Sequence, residues 1–118
     1  PSGPITIQTL IDFSAFPFSG TFTTTAGSDV LGCSSGTFVD HPANSVNFNS
    51  ASIRKELTCT SGGSGTFTVN FDPPLGHWNV LNSSGDFANL TVQGDFSVIV
   101  VGPTTGAETL TGAIHFAP

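Results

Sequence analysis

Charge is what this chain has least of. Only 8% of its residues are charged, against about 25% in ordinary soluble domains, and the two cations, Arg54 and Lys55, are neighbours. Two adjacent cations in a chain of net charge −6 cannot build the basic surface that releases counterions from phosphate, which excludes nucleic acid as a partner. Adsorption to anionic lipid is excluded for the same reason. Tyrosine and methionine are absent and tryptophan occurs once. Recognition faces draw heavily on Tyr and Trp, so a carbohydrate platform is disfavoured and Trp78 is the one aromatic left to serve a ligand. Long apolar runs are missing too. The longest, from Val98 to Val101, is far below the roughly 20 residues of a membrane helix, and no membrane insertion is expected. No window of helical period survives the density of Gly, Thr and Pro.

What is present is glycine, hydroxyl side chains and phenylalanine. At 118 residues the chain can bury one core and has no room for separate catalytic and binding lobes. Its 11 Phe carry no polar handle and belong inside. Gly-Thr-Phe or Gly-Asp-Phe occurs at Gly20, Gly36, Gly65, Gly85 and Gly94, which reads as a recurring strand start: a glycine for the turn or close approach, then two residues facing opposite sides. The spacing is uneven, which excludes a solenoid. Around these units apolar residues alternate strictly. Phe16, Phe18, Gly20 and Phe22 share a face, as do Phe67, Val69 and Phe71, then Trp78 and Val80, then Phe96, Val98 and Val100, and last Leu110, Gly112, Ile114 and Phe116. Ile99 and Val101 make the second face of their strand apolar as well. Val46 and Phe48 are even where Ile53, Lys55, Leu57 and Cys59 are odd, so a bulge is expected between residues 49 and 52. The pattern specifies an all-β fold, an antiparallel barrel or barrel-like sandwich of about seven to eight strands.

Cys33 and Cys59 precede the second and third glycine units. Equivalent strand contexts bring their sulfurs together, so a disulfide is expected, and with it an oxidising, extracytoplasmic location. The opening Pro1-Ser2-Gly3-Pro4 has neither a charged nor an apolar leader region, so any signal peptide is expected to have been removed or left out. Residues 1–15 form an N-terminal extended segment ahead of a single barrel domain over 16–118. Within that segment Ile5, Ile7, Leu10 and Ile11 give an apolar strand with two readings: another strand of the same sheet, or one added to the open edge of a neighbouring copy.

Candidate chemistry is sparse. His41, His77 and His115 are far apart in sequence, and no metal set or cofactor motif accompanies them. His77 beside Trp78 and near Asp72 is the best ligand contact. No Gly-x-Ser-x-Gly elbow supports a serine nucleophile, so no catalytic residue is assigned and an enzyme is disfavoured. Asp86 and Asp95 follow turn glycines and suit local capping. Asp29, Asp40, Asp72 and Glu108 could offer oxygens to Ca²⁺ only if their loops converge, since no Asp-x-Asp loop exists. Asn82-Ser83-Ser84 and Asn89-Leu90-Thr91 match the N-glycosylation pattern.

The run Cys33-Ser34-Ser35-Gly36-Thr37-Phe38-Val39-Asp40, followed by Ile53-Arg54-Lys55, Cys59, Gly63-Ser64-Gly65-Thr66-Phe67, Trp78-Asn79-Val80, Gly85-Asp86-Phe87-Ala88-Asn89-Leu90 and Thr111-Gly112-Ala113-Ile114, resembles a family of small secreted bacterial β-barrel domains of unassigned function. That family is more distantly similar to allene oxide cyclase and dirigent barrels. The resemblance implies an antiparallel barrel with paired cysteines and carries no catalytic residues. Two functions follow as expectations. One is a secreted or cell-surface structural domain that assembles with copies of itself, in the extreme a filament joined through its N-terminal strand. The alternative is a barrel that encloses a small hydrophobic ligand, or a cyclase-like relative of one.

Overall fold

The computed structural model describes residues 2–14, 17–42, 53–72 and 76–116. They form a closed eight-stranded barrel in which every strand pairs antiparallel with its sequence neighbours and the last closes on the first. The strands are β1 (Ser2–Asp12), β2 (Ser19–Ala26), β3 (Cys33–Pro42), β4 (Ile53–Gly62), β5 (Thr66–Asp72), β6 (His77–Ser83), β7 (Leu90–Gly102) and β8 (Thr105–Phe116). A one-turn helix α1 (Ser28–Leu31) and a 3-10 turn (Gly85–Phe87) sit at one end. There they bury Leu31 and Phe87 as plugs. The expected strand at Val46 and Phe48, the bulge at 49–52 and the strand end at Pro73-Pro74 lie outside the described residues.

Alternation does the sorting. Ile5, Ile7 and Ile11 of β1, Leu57 of β4, Phe67 and Val69 of β5, and Leu110 and Ile114 of β8 all face the interior and are buried. The glycine units have a more specific role than strand starts. Gly20 and Gly36 lie within β2 and β3, whose register pairs Gly20 with Phe38 and Phe22 with Gly36. Each glycine therefore faces the other unit's ring. A Cβ at Gly20 would stand 2.9 Å from Phe38, one at Gly36 would stand 2.6 Å from Phe22, and each would also strike a neighbouring strand's carbonyl, that of Leu10 and Thr58 respectively. The two motifs are interlocked halves of one packing device, ring over glycine in both directions. Trp78, Gly94 and Gly112 stand in one row across β6, β7 and β8; a Cβ at Gly112 would stand 3.3 Å from the indole, whose N–H is donated to the Thr111 carbonyl at 3.1 Å. Of the five units, Gly65 immediately precedes a strand, whereas Gly85-Asp86-Phe87 is the 3-10 turn.

The Cys33–Cys59 disulfide is formed, with Cα atoms 6.0 Å apart, and it staples β3 to β4 at the end that carries α1. It implies a non-reducing compartment. On the chain-entropy estimate, closing a loop with a sequence separation of 26 contributes roughly 3 to 4 kcal/mol.

Candidate functional site

The opposite end of the barrel carries two features, a buried charge cluster and an open strand edge. The cluster arises where the apolar phase of four strands is interrupted by a polar residue. Thr9 stands between Ile7 and Ile11 on β1, Asp40 follows Phe38 in phase on β3, Lys55 precedes Leu57 on β4, and Glu108 precedes Leu110 on β8. Register makes two cross-strand pairs of them, Thr9 with Glu108 and Asp40 with Lys55, and the closed barrel brings the pairs face to face. The Lys55 Nζ lies 2.8 Å from Asp40 Oδ1, 3.0 Å from Asp40 Oδ2 and 2.8 Å from Glu108 Oε1. The Thr9 hydroxyl donates to the same Glu108 oxygen at 2.9 Å. The ammonium also sits 3.5 Å from the centroid of the Phe38 ring. Lys55 is 0% exposed, and both carboxylates are buried. Asp40 and Glu108, read from the sequence as conceivable Ca²⁺ donors, converge on Lys55 instead.

The edge belongs to β7. Its pairing with β6 covers only Asp95, Gly94 and Gln93, while its pairing with β8 continues to Gly102. The Phe96 N–H is donated to the Gly76 carbonyl at 2.8 Å, away from β8. By strand alternation Val98 and Val100 direct their N–H and C=O groups the same way, and among the described residues nothing pairs with them there. Side chains on both faces are exposed: Val98, Ile99, Val100 and Val101 are 51 to 76% accessible. The strand is apolar on both faces, as its sequence pattern indicates, and because β7 outruns β6 neither face is covered there by the described residues. On the outer surface Ile99 continues a cross-strand row through Ala107 and Leu10 to Thr21, bordering a groove of about 470 Å³.

Ile5, Ile7, Leu10 and Ile11 lie on β1, which pairs along its length with β8 and over 6–12 with β2 of its own chain. That placement removes the motive for expecting a donated N-terminal strand, because the open edge is on β7. Residues 2–12 are accordingly a stave of the barrel and not a segment apart from it. His77 and Trp78 face opposite sides of β6. The imidazole is exposed, with Nδ1 3.7 Å from Asp95, and the indole is buried. A cleft of about 490 Å³ opens beside them where β6 and β7 part. The side chains of His41 and Asp72 lie outside the described residues. Asn82 and Asn89 are both exposed, and Asn89 adopts a positive φ of 68°. Asp86 accepts the Ser64 N–H at 2.8 Å, tying its turn to the β4–β5 connection instead of capping it locally, and the turn has no side-chain cap of its own. No group of three or more metal-ligating side chains is assembled among the described residues. No helix there is long and apolar enough to cross a membrane.

The chain matches no family model, and no curated protein matches it.

Sequence reasoning missed the cluster and the edge alike. The first had a signal, since Thr9, Asp40, Lys55 and Glu108 each occupy an inward slot in an apolar alternation. The second depends on where β6 begins relative to β7, which no local pattern encodes.

Proposed function

We propose that the protein is a non-enzymatic, secreted structural domain that associates with a second copy of itself, edge to edge, through residues 97–101 of β7. The observation that carries this reading is an apolar strand edge whose outward backbone groups have no partner among the described residues, with no charged residue from Phe96 to Ala107. Such an edge is a template for another strand. The occupant argued for is a second copy. Each chain carries a net charge of −6, so copies repel one another over most of their surfaces, and this stretch is where that repulsion has no local source. Antiparallel pairing of two identical strands is self-complementary about a two-fold axis. It would run the apolar row of Ile99, Ala107 and Leu10 on into its symmetry mate. One open edge used in this way closes a pair, and a filament would need a second complementary surface.

A ligand-enclosing barrel finds less support. Phe22, Phe38, Phe67, Leu57 and the Lys55 cluster occupy the interior, while the grooves described above open on the outside.

Sedimentation velocity over a concentration series tests the proposal. The unaltered chain is expected to dimerise. Val100→Pro, which deletes one outward N–H, and Val98→Lys with Val100→Lys are expected to leave folded monomers. A chain that stays monomeric at high concentration, or variants that dimerise equally well, would overturn it.

A further inference from the structure

The Lys55 cluster has a composition and geometry that go beyond an ion pair. A primary amine with no access to water is held against one carboxyl group by both of its oxygens, at 2.8 and 3.0 Å, and against a second carboxylate at 2.8 Å. With Nζ spanning both Asp40 oxygens at 2.8 and 3.0 Å, simple geometry puts the Asp40 carboxyl carbon about 2.8 to 3.3 Å away, close enough for a near-attack arrangement. Glu108 meets Nζ through a single oxygen, which the Thr9 hydroxyl holds in place. Phe38 walls the amine at 3.5 Å and is itself fixed over Gly20. We propose that Lys55 and Asp40 condense spontaneously to an intramolecular isopeptide bond, with Glu108 as the proton-transferring catalytic residue.

The step balances within the cluster. Lys55 passes one proton to Asp40, giving a neutral amine and a neutral acid. Nζ attacks the Asp40 carboxyl carbon, forming the N–C bond as the carbonyl pair moves onto oxygen. Glu108 then takes a second proton from Nζ and delivers it to the Asp40 hydroxyl. The C–O bond breaks, water departs, and the carbonyl re-forms as a secondary amide, with Glu108 again a carboxylate. No oxidant, metal or cofactor is consumed. Two forces favour the product. The reactants are held at an effective concentration that free amines and acids never reach, and an ammonium and a carboxylate taken out of water are replaced by one neutral amide. The link would join β3 to β4 toward the end opposite the Cys33–Cys59 disulfide, so that one strand pair is fastened covalently at both ends.

The sequence itself supplies the test. Arg54 and Lys55 are the only tryptic sites, and they fall between Asp40 and the rest of the chain. Intact mass spectrometry of the purified protein is expected to show a deficit of one water beyond the two hydrogens of the disulfide. After reduction, unfolding and trypsin, residues 1–54 and 55–118 are expected to remain one branched species joined through Asp40 and Lys55. Lys55→Met is expected to restore the water and to separate the fragments, and Glu108→Gln to do the same or to slow the loss at least tenfold. The proposal is overturned if the unaltered protein has its full mass, or if its fragments separate on reduction. A water deficit that persists in Lys55→Met, the mark of a cyclised aspartyl residue elsewhere, overturns it equally.

Discussion

The interlocked pairs Gly20–Phe38 and Phe22–Gly36 show how much a single methyl group decides in this barrel. At Gly36 a Cβ would meet the Phe22 ring and the Thr58 backbone, and a neighbouring strand cannot yield as a flexible side chain can. Gly36→Ala is therefore expected to lose stability at or above the upper end of the ~1 to 3 kcal/mol range of overpacked cores. Gly32 is a useful contrast. It has φ of 82° and open space where a methyl group would stand, with nothing within 4 Å, so Gly32→Ala is expected to cost only about 1 to 2 kcal/mol from the left-handed backbone. Urea midpoints of the two variants measure the difference, and equal losses would refute the interlocking account. The motif was plain in the sequence, but its meaning was not: a tripeptide shows that glycine and phenylalanine recur, while the facing of one copy against another is set by the β2–β3 register. Lys55 was legible in the same partial way. Its phase with Leu57 and Cys59 marks an inward position, but its partners come from strands 15 and 53 residues away (55 − 40 and 108 − 55).

At the scale of elements, β1 takes the first of its two readings, another strand of the same sheet, and the open edge falls on β7. An apolar strand reads the same whether its partners belong to its own chain or to another, and only the pairing of β1 with β8, which joins the two ends of the chain, assigns it to its own barrel. Two substitutions on β1 separate its faces. Ile7 is fully buried, and Ile7→Ala is expected to cost about 2 to 5 kcal/mol. Leu10 stands on the outer face, 56% exposed, and Leu10→Ala is expected to leave the urea midpoint nearly unchanged. A donated β1, absent from its own barrel, would instead make both substitutions affect association and neither affect monomer stability. The antiparallel all-β class was readable from regular alternation and turns, which a barrel and a sandwich share, and the pairing of β1 with β8 decides for the barrel. The open edge was not, since it follows from a difference in strand length: β7 has 13 residues and β6 has 7.

For the whole molecule, a net negative charge and an uncharged edge make the proposed association depend on salt in a way that identifies its origin. Each copy carries −6, and the described chain measures 39 × 25 × 21 Å, so the charges of two paired copies are separated by distances comparable with the Debye length at low ionic strength, about 30 Å at 0.01 M. There the mutual repulsion opposes pairing. At ~0.1 M the screening length falls to about 10 Å and at 1 M to about 3 Å, which removes most of that repulsion while the burial of Val98, Ile99, Val100 and Val101 is undiminished. Dimerisation through β7 is thus expected to tighten as sodium chloride rises from 0.01 to about 0.15 M and then to level off. An interface built on ion pairs has the opposite sign, weakening as its attraction is screened. Sedimentation equilibrium at three salt concentrations distinguishes the two, and a dissociation constant that rises with salt would rule out the uncharged edge as the contact.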